Sequence, residues 1–150
     1  MTLAVFAGSG TANARYCKAK VNDQKGVVIF PDGYSHPAGP AQPVDINNAS
    51  VSLYDAANSW SVDSWAAMEA AGCVFLPAAG YRSYDFGKGS DVVYYFVVGN
   101  GGYWSCTAGG ERFPQEAYML DIADEVLDAT AHCERNQGFP VRQVRDVTQN

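Results

Sequence analysis

Apolar residues along this chain fall into short runs broken by Gly, Pro and Asn. The first clear run, Val27 to Phe30, is mostly β-branched and ends at Pro31-Asp32-Gly33, which predicts a strand followed by a turn. The proline-rich "SHPAGPAQPVDINNAS" that follows has no period, so it predicts a long irregular connection packed on the surface. The spacing changes at "SVDSWAAMEAAG". Val62, Trp65 and Met68 recur every three residues between a capping Ser61 or Asp63 and the stop residue Gly72, which predicts a short helix with that face on a core. Directly behind it, Cys73 to Leu76 are consecutive apolar residues between Gly72 and Pro77, the pattern of a strand buried on both faces.

Residues 80–110, "GYRSYDFGKGSDVVYYFVVGNGGYWSCTAGG", combine glycines, aromatic rings and β-branched residues with almost no helix formers. Asp91 to Val98 and Tyr103 to Thr107 have strand composition, and Asn100-Gly101 between them tolerates positive φ, so the pair predicts a β-hairpin. A ribbon carrying Tyr94, Tyr95, Phe96, Tyr103 and Trp104 cannot turn every ring toward one core, and some are expected at the surface. Between Arg82 and Asp91, the loop residues Tyr84, Asp85, Phe86 and Lys88 mix rigid aromatic anchors with adaptable polar groups, as recognition surfaces do. The same rings would equally suit a satellite core beneath a long loop. Beyond lie "YMLDI", the acidic "ADEVLDATAHCERNQ" and "GFPVRQVRDV", where Val141 and Val144 predict a closing strand. No repeat or linker composition divides the chain, which reads as a single domain, 1–150.

With 150 residues and 47% hydrophobic content, the chain is long enough to bury one core. A net charge of -6 and a pI near 4.7 work against phosphate backbones and anionic membranes, so nucleic acid is not an expected partner. Membrane insertion is not expected either, because no apolar run approaches the roughly 20 residues a bilayer requires. The opening "MTLAVFAGSGTANA" has no Lys or Arg before its short apolar run and is not read as a cleaved signal. Cys17, Cys73, Cys106 and Cys133 are too far apart for a zinc or redox motif, and Cys73 in "CVFL" reads as a buried thiol.

Four motifs, in order and at sensible spacing, carry a resemblance: "WAAMEAAGCVFLPAAGYR", "GYWSCT", "AYMLDI" and "GFPVRQVRD". Together they resemble bacterial surface domains of the C-type lectin fold, whose usual run is a Trp-bearing helix, "FLPAAGYR", "YYWSST", "AYxLxF" and "GFSVRxVRD". The likeness covers about residues 60–146, and residues 1–59 are supported only by "QKGVVIFPD". It implies an α+β architecture, with few helices and a small, mainly antiparallel sheet carrying long irregular loops. Within that group the chain looks most like the variable proteins of diversity-generating retroelements, in which error-prone reverse transcription rewrites adenine-bearing codons late in the gene. Those proteins vary the exposed residues of one ligand-binding face on a fixed scaffold.

Gly80, Tyr81, Arg82, Gly99, Tyr103, Trp104 and Ser105 match the scaffold pattern, whereas Ser83, Tyr84, Asp85, Phe86, Asn100 and Gly102 stand where the family tolerates almost anything. Cys106 replaces a family Ser, and Thr130, Ala131, His132 and Cys133 stand where Asn and Ser are usual. Cys is one adenine change from an AGC serine codon, and His is one from an AAC asparagine codon. The resemblance therefore implies a face built from Ser83, Tyr84, Asp85, Phe86, Tyr94, Phe96, Asn100, Gly102, Tyr103, Cys106, Glu111, Arg112, Phe113, Thr130, Ala131, His132, Cys133 and Asn136. Trp65, Trp104 and the Val74–Leu76 strand would hold the frame. The expected partner is a protein or glycan on a cell or host surface. The implied setting is extracellular, on a bacterial cell or a virion, at the binding end of a larger protein.

Catalysis is not expected. Asp121, Asp124, Glu125 and Asp128 qualify as paired carboxylates by type alone, and their interleaving with Ile122, Val126 and Leu127 fits a solvated edge better. His36 and His132 make no metal set, so neither metal nor other cofactor is expected. The "EPN" and "WND" motifs of calcium-dependent animal lectins are absent. The formylglycine-generating enzyme also resembles this fold, but it relies on a close pair of cysteines, and Cys106 and Cys133 are far apart. The main rival is a fixed adhesin or structural envelope module on the same scaffold.

Overall fold

The computed structural model describes residues 15–84, 93–95 and 99–142, with backbone alone for 83–84 and 93–95. Chain order is β1 (Tyr16–Val21), β2 (Gln24–Ile29), β3 (Asn58–Trp60), α1 (Val62–Ala70), β4 (Val74–Pro77), β5 (Arg82–Tyr84), β6 (Val93–Tyr95), β7 (Gly101–Ala108), β8 (Glu116–Ile122) and β9 (Leu127–Glu134). Among the described residues the fold is thus mostly β with one short helix and small, mainly antiparallel sheets: a four-stranded β3-β1-β2-β4, a pair β5-β6 and a three-stranded β7-β8-β9.

β1 and β2 form a hairpin across Asn22-Asp23, whose φ values of 49° and 62° are tolerated by these two residue types and suit the twist of a two-residue turn. Alternate residues of the hairpin feed two cores. Tyr16, Val27 and Ile29 join Leu53, Leu76, Ala78, Leu120 and Ile122 between the four-stranded and three-stranded sheets. Cys17, Ala19, Val21, Val28 and Phe30 join Trp60, Met68 and Cys73 beneath α1. A strand buried on both faces needs an unbroken apolar run, which is why "VVIF" lacks alternation.

The helix forms as its caps predict. Ser61 Oγ accepts from the Ser64 amide at 3.2 Å, and at the other end Gly72, at φ 92°, lets Cys73 N donate to Met68 O and Gly72 N to Glu69 O. Met68 is fully buried and Trp65 packs on the second core, but Val62 points to solvent at 58% exposure. The residues at three-residue spacing therefore do not all face inward.

The strand expected at Cys73 to Leu76 forms as β4 at the sheet edge beside β2 and packs on both cores, Leu76 in the first and Cys73 with Phe75 on the second, while Val74 is exposed at the sheet margin. Two further expectations need correcting. The 91–98/103–107 hairpin does not form among the described residues, since β6 pairs with β5 and β7 pairs with β8. The glycines around Asn100 serve close packing instead: a Cβ on Gly99 would lie 2.6 Å from the Tyr54 hydroxyl, and one on Gly101 would lie 3.0 Å from Ala78 Cα. Lastly, no closing strand forms at Val141, which is 69% exposed; Gly138 instead bridges Arg82, and Val144 lies outside the described residues.

Residues 15–59 are integral to this frame. The irregular connection is pinned by Asn58, which bonds both Val44 N and Val44 O, and by Trp60 Nε1 donating to Ala41 O at 3.0 Å. Lys18 on β1 is buried and donates through Nζ to the carbonyls of Ala123, at 3.1 Å, and Asp124, in the β8–β9 turn. Ser52 Oγ bonds the Asp124 carboxylate at 2.5 Å. The N-terminal sheet thus grips one end of the β8–β9 hairpin.

All four cysteines are free thiols: Cys17 and Cys73 are buried, Cys133 is half-buried and Cys106 exposed. Burial pushes the Cys17, Cys73 and Cys133 thiols up, away from the reactive thiolate. A thiol reagent is expected to label Cys106 first and Cys133 more slowly, with Cys17 and Cys73 modified only after unfolding. Mass spectrometry of native and denatured samples checks the order; early labelling of Cys17 would contradict the packing of β1.

Candidate ligand-binding surface

Among the described residues, the three-stranded sheet has one end committed to the core and one end that no other element covers. Around β8, Leu120 and Ile122 face the first core with Tyr103, Leu127 and Ala129. Further out, Met119 pairs with Ala131 and Asp121 with Asp128, so two steps on β8 match three on β9. This extra residue is a bulge at Ala129-Thr130, where Asp128 Oδ1 accepts from both Thr130 N and Thr130 Oγ1 at 2.7 Å. Beyond it, Glu116 and Tyr118 on β8 lie opposite Glu134 and His132 on β9, past the edge of the core.

The loop between β7 and β8 delivers the remaining groups. Gly109 N donates to Glu116 O, Glu116 N to Phe113 O and Arg135 N to Gln115 O, folding the loop back on the sheet. Phe113 thereby stacks on His132, with ring centroids 4.6 Å apart and planes at 23°, while Tyr118 meets the same imidazole edge-on at 6.1 Å. Arg112 lies over Phe113, its guanidinium carbon 5.4 Å from the ring centroid. Glu116 bonds His132 Nδ1 through its carboxylate, and Arg135 Nε donates to Glu116 O at 3.1 Å. Two distant segments expected on the face, 111–113 and 130–136, therefore meet.

On the opposite side of the same sheet, Phe139 stacks on Tyr81 at 4.3 Å and takes Trp104 edge-on at 5.0 Å. Burial raises the Tyr81 phenol, and the nearby Cys133 and Asp121 add to the effect. Asp121 is itself raised, first by burial and then by Asp128 directly across the ladder. This side joins residues from three of the sequence motifs into a packed cluster.

The expected face residues are placed as follows. Arg112, Phe113 and His132 come together; Glu111 is exposed beside them, Thr130 is exposed on the His132 side of β9, and Asn136 is exposed just past that strand. Ala131 and Cys133 alternate onto the opposite, half-buried side. Cys106 is exposed on β7, and Asn100 is exposed at the far end of that strand, where its carbonyl accepts from Gly80 N.

Two residues are corrected to the frame. Tyr103 packs on the first core and donates its hydroxyl to Pro77 O at 2.9 Å. Gly102 is buried, and a Cβ there would lie 2.4 Å from Met119 Cε and 2.9 Å from the Phe139 ring. Ser83, Tyr84 and Tyr94 fall in β5 and β6, with side chains outside the described residues, as are Asp85, Phe86 and Phe96 altogether.

Sequence reasoning passed over Glu116 and Tyr118. Their signal was the alternation of "EAYMLDI", in which polar or amphipathic residues precede the apolar Met119, Leu120 and Ile122. Among the described residues no three His, Cys, Asp or Glu side chains converge to hold a metal ion, and no helix is long and apolar enough to cross a membrane. Comparison of the chain with family models, with curated proteins and with solved structures gives no match.

Proposed function

We propose that this chain is a ligand-binding domain on a C-type lectin-type scaffold, a variable protein of a diversity-generating retroelement, with its recognition surface at the free end of the β7-β8-β9 sheet. One observation carries the reading: Arg112, Phe113 and His132, from separate segments, assemble with Tyr118 and Glu116 beyond the edge of the core. Aromatic anchors ringed by charged and polar groups are the usual composition of a protein recognition surface. The motif residues Tyr81, Trp104 and Phe139 support the frame from the other side, which suits a scaffold that tolerates change at its face. The partner is a protein or glycan on a cell surface, and binding requires no cofactor.

An array of cell-surface proteins and glycans, probed with the native chain and with a Phe113→Ala/His132→Ala double variant, tests this. Hits of the native chain should weaken by about tenfold or more in the variant, as when an interface anchor is removed, while its melting temperature stays within a few degrees. Unchanged capture, or a variant that unfolds, would place the surface elsewhere.

A further inference from the structure

The two histidines of this chain are held in opposite ways, and the difference has a functional consequence at the proposed surface, on which this inference rests. His36 Nε2 lies 3.0 Å from Pro40 O, a pure acceptor, so neutral His36 carries its proton on Nε2 and accepts the Tyr34 hydroxyl at Nδ1, 2.8 Å away. His132 is the reverse. Its Nδ1 meets the carboxylate of Glu116, again a pure acceptor, so the proton of the neutral ring sits on Nδ1 and Nε2 carries a lone pair. A neutral histidine in water prefers the other tautomer. Phe113 covers one face of the ring and Tyr118 meets it from the side, which fixes its orientation as well. No other group among the described residues bonds Nε2, and the side chain remains 38% exposed.

We propose that Glu116 is a positioning residue that locks His132 as the Nδ1–H tautomer, so that Nε2 stands as an oriented hydrogen-bond acceptor amid the Phe113 and Tyr118 rings, and that the surface takes a ligand presenting a hydroxyl or N–H donor beside an apolar group. The other polar groups toward this imidazole are Thr130 and Glu134 on β9, Arg112 from the loop, and Arg135, whose Nε is committed to Glu116 O. None of them supplies a donor to Nε2.

Long-range proton–nitrogen correlation spectra of the nitrogen-15-labelled chain in mildly alkaline solution read both tautomers at once, with His36 as the internal reference. The expected result is Nε2–H for His36 and Nδ1–H for His132. Glu116→Leu should return His132 to the Nε2–H form, while Glu116→Gln, which keeps an acceptor, should retain Nδ1–H. An Nε2–H His132 in the native chain overturns the proposal without any variant. Titration with benzyl alcohol and with benzyl methyl ether, which has no donor, tests the ligand class: the His132 Nε2 resonance should shift saturably with the alcohol alone. Equal responses, or none to either, would refute the donor requirement even where the array experiment succeeds, and a failed array with the expected tautomer would refute the surface instead.

Discussion

Replacing Phe139 by Ala is expected to cost about 3 kcal/mol, at the lower end of the range for truncating a buried Phe. The ring is the hub of the motif cluster: it stacks on Tyr81, takes Trp104 edge-on and covers Gly102, where any Cβ would collide with it. Its neighbours come from two separate stretches of chain, Tyr81 and strand β7, so neither can follow the truncation inward without moving its own backbone, and the cavity stays open. For a chain of this size such a loss corresponds to a fall in melting temperature of about 10 °C. Urea titration measures it, with an unchanged slope expected because the unfolded surface hardly changes. A loss below about 1 kcal/mol would mean that the cluster is peripheral to the frame.

Lys18→Met should destabilise by about 2–3 kcal/mol, because it leaves the Ala123 and Asp124 carbonyls without their donor in a buried setting. Methionine fills the space of the stem but cannot bond the turn. The pH dependence gives a second signature. Burial depresses the Lys18 ammonium below its usual value, against the opposing pull of Asp124 and Glu125. The folded state therefore holds this proton less tightly than the unfolded chain, and native stability rises with pH between the folded and the unfolded lysine values. That slope should vanish in Lys18→Met. Asp124 is held below the ordinary carboxylate value, chiefly by its bond from Ser52, so its contribution is present above about pH 4 and is lost as pH falls through the folded value. Acid should thus loosen the β8–β9 turn, and Ser52→Ala should weaken the effect.

How far the sequence led can be judged from particular residues. The helix was legible because Ser61 and Gly72 act locally through backbone geometry that needs no tertiary partner. The β1–β2 hairpin escaped notice although Asn22-Asp23 marks it, since "YCKAKV" buries a lysine at a core position and so obscures its alternation. "GNGG" misled, because a glycine chosen for close approach looks the same as one chosen for a turn. At the surface, Phe113 and His132 were picked out singly, but their meeting depends on the fold-back of residues 109–115 and on the bulge at Ala129-Thr130. The bulge also fixes which of residues 130–133 face outward, and that choice cannot be made from residue types alone.

Sequencing sibling copies of the gene tests the separation of frame from face most directly. Substitutions should gather at exposed positions of the free sheet end, above all 112, 113, 130 and 132, with Tyr81, Gly102, Tyr103, Trp104 and Phe139 unchanged. Siblings identical at those exposed positions would point to a fixed surface module, and substitutions spread equally over the buried cluster would contradict the account outright.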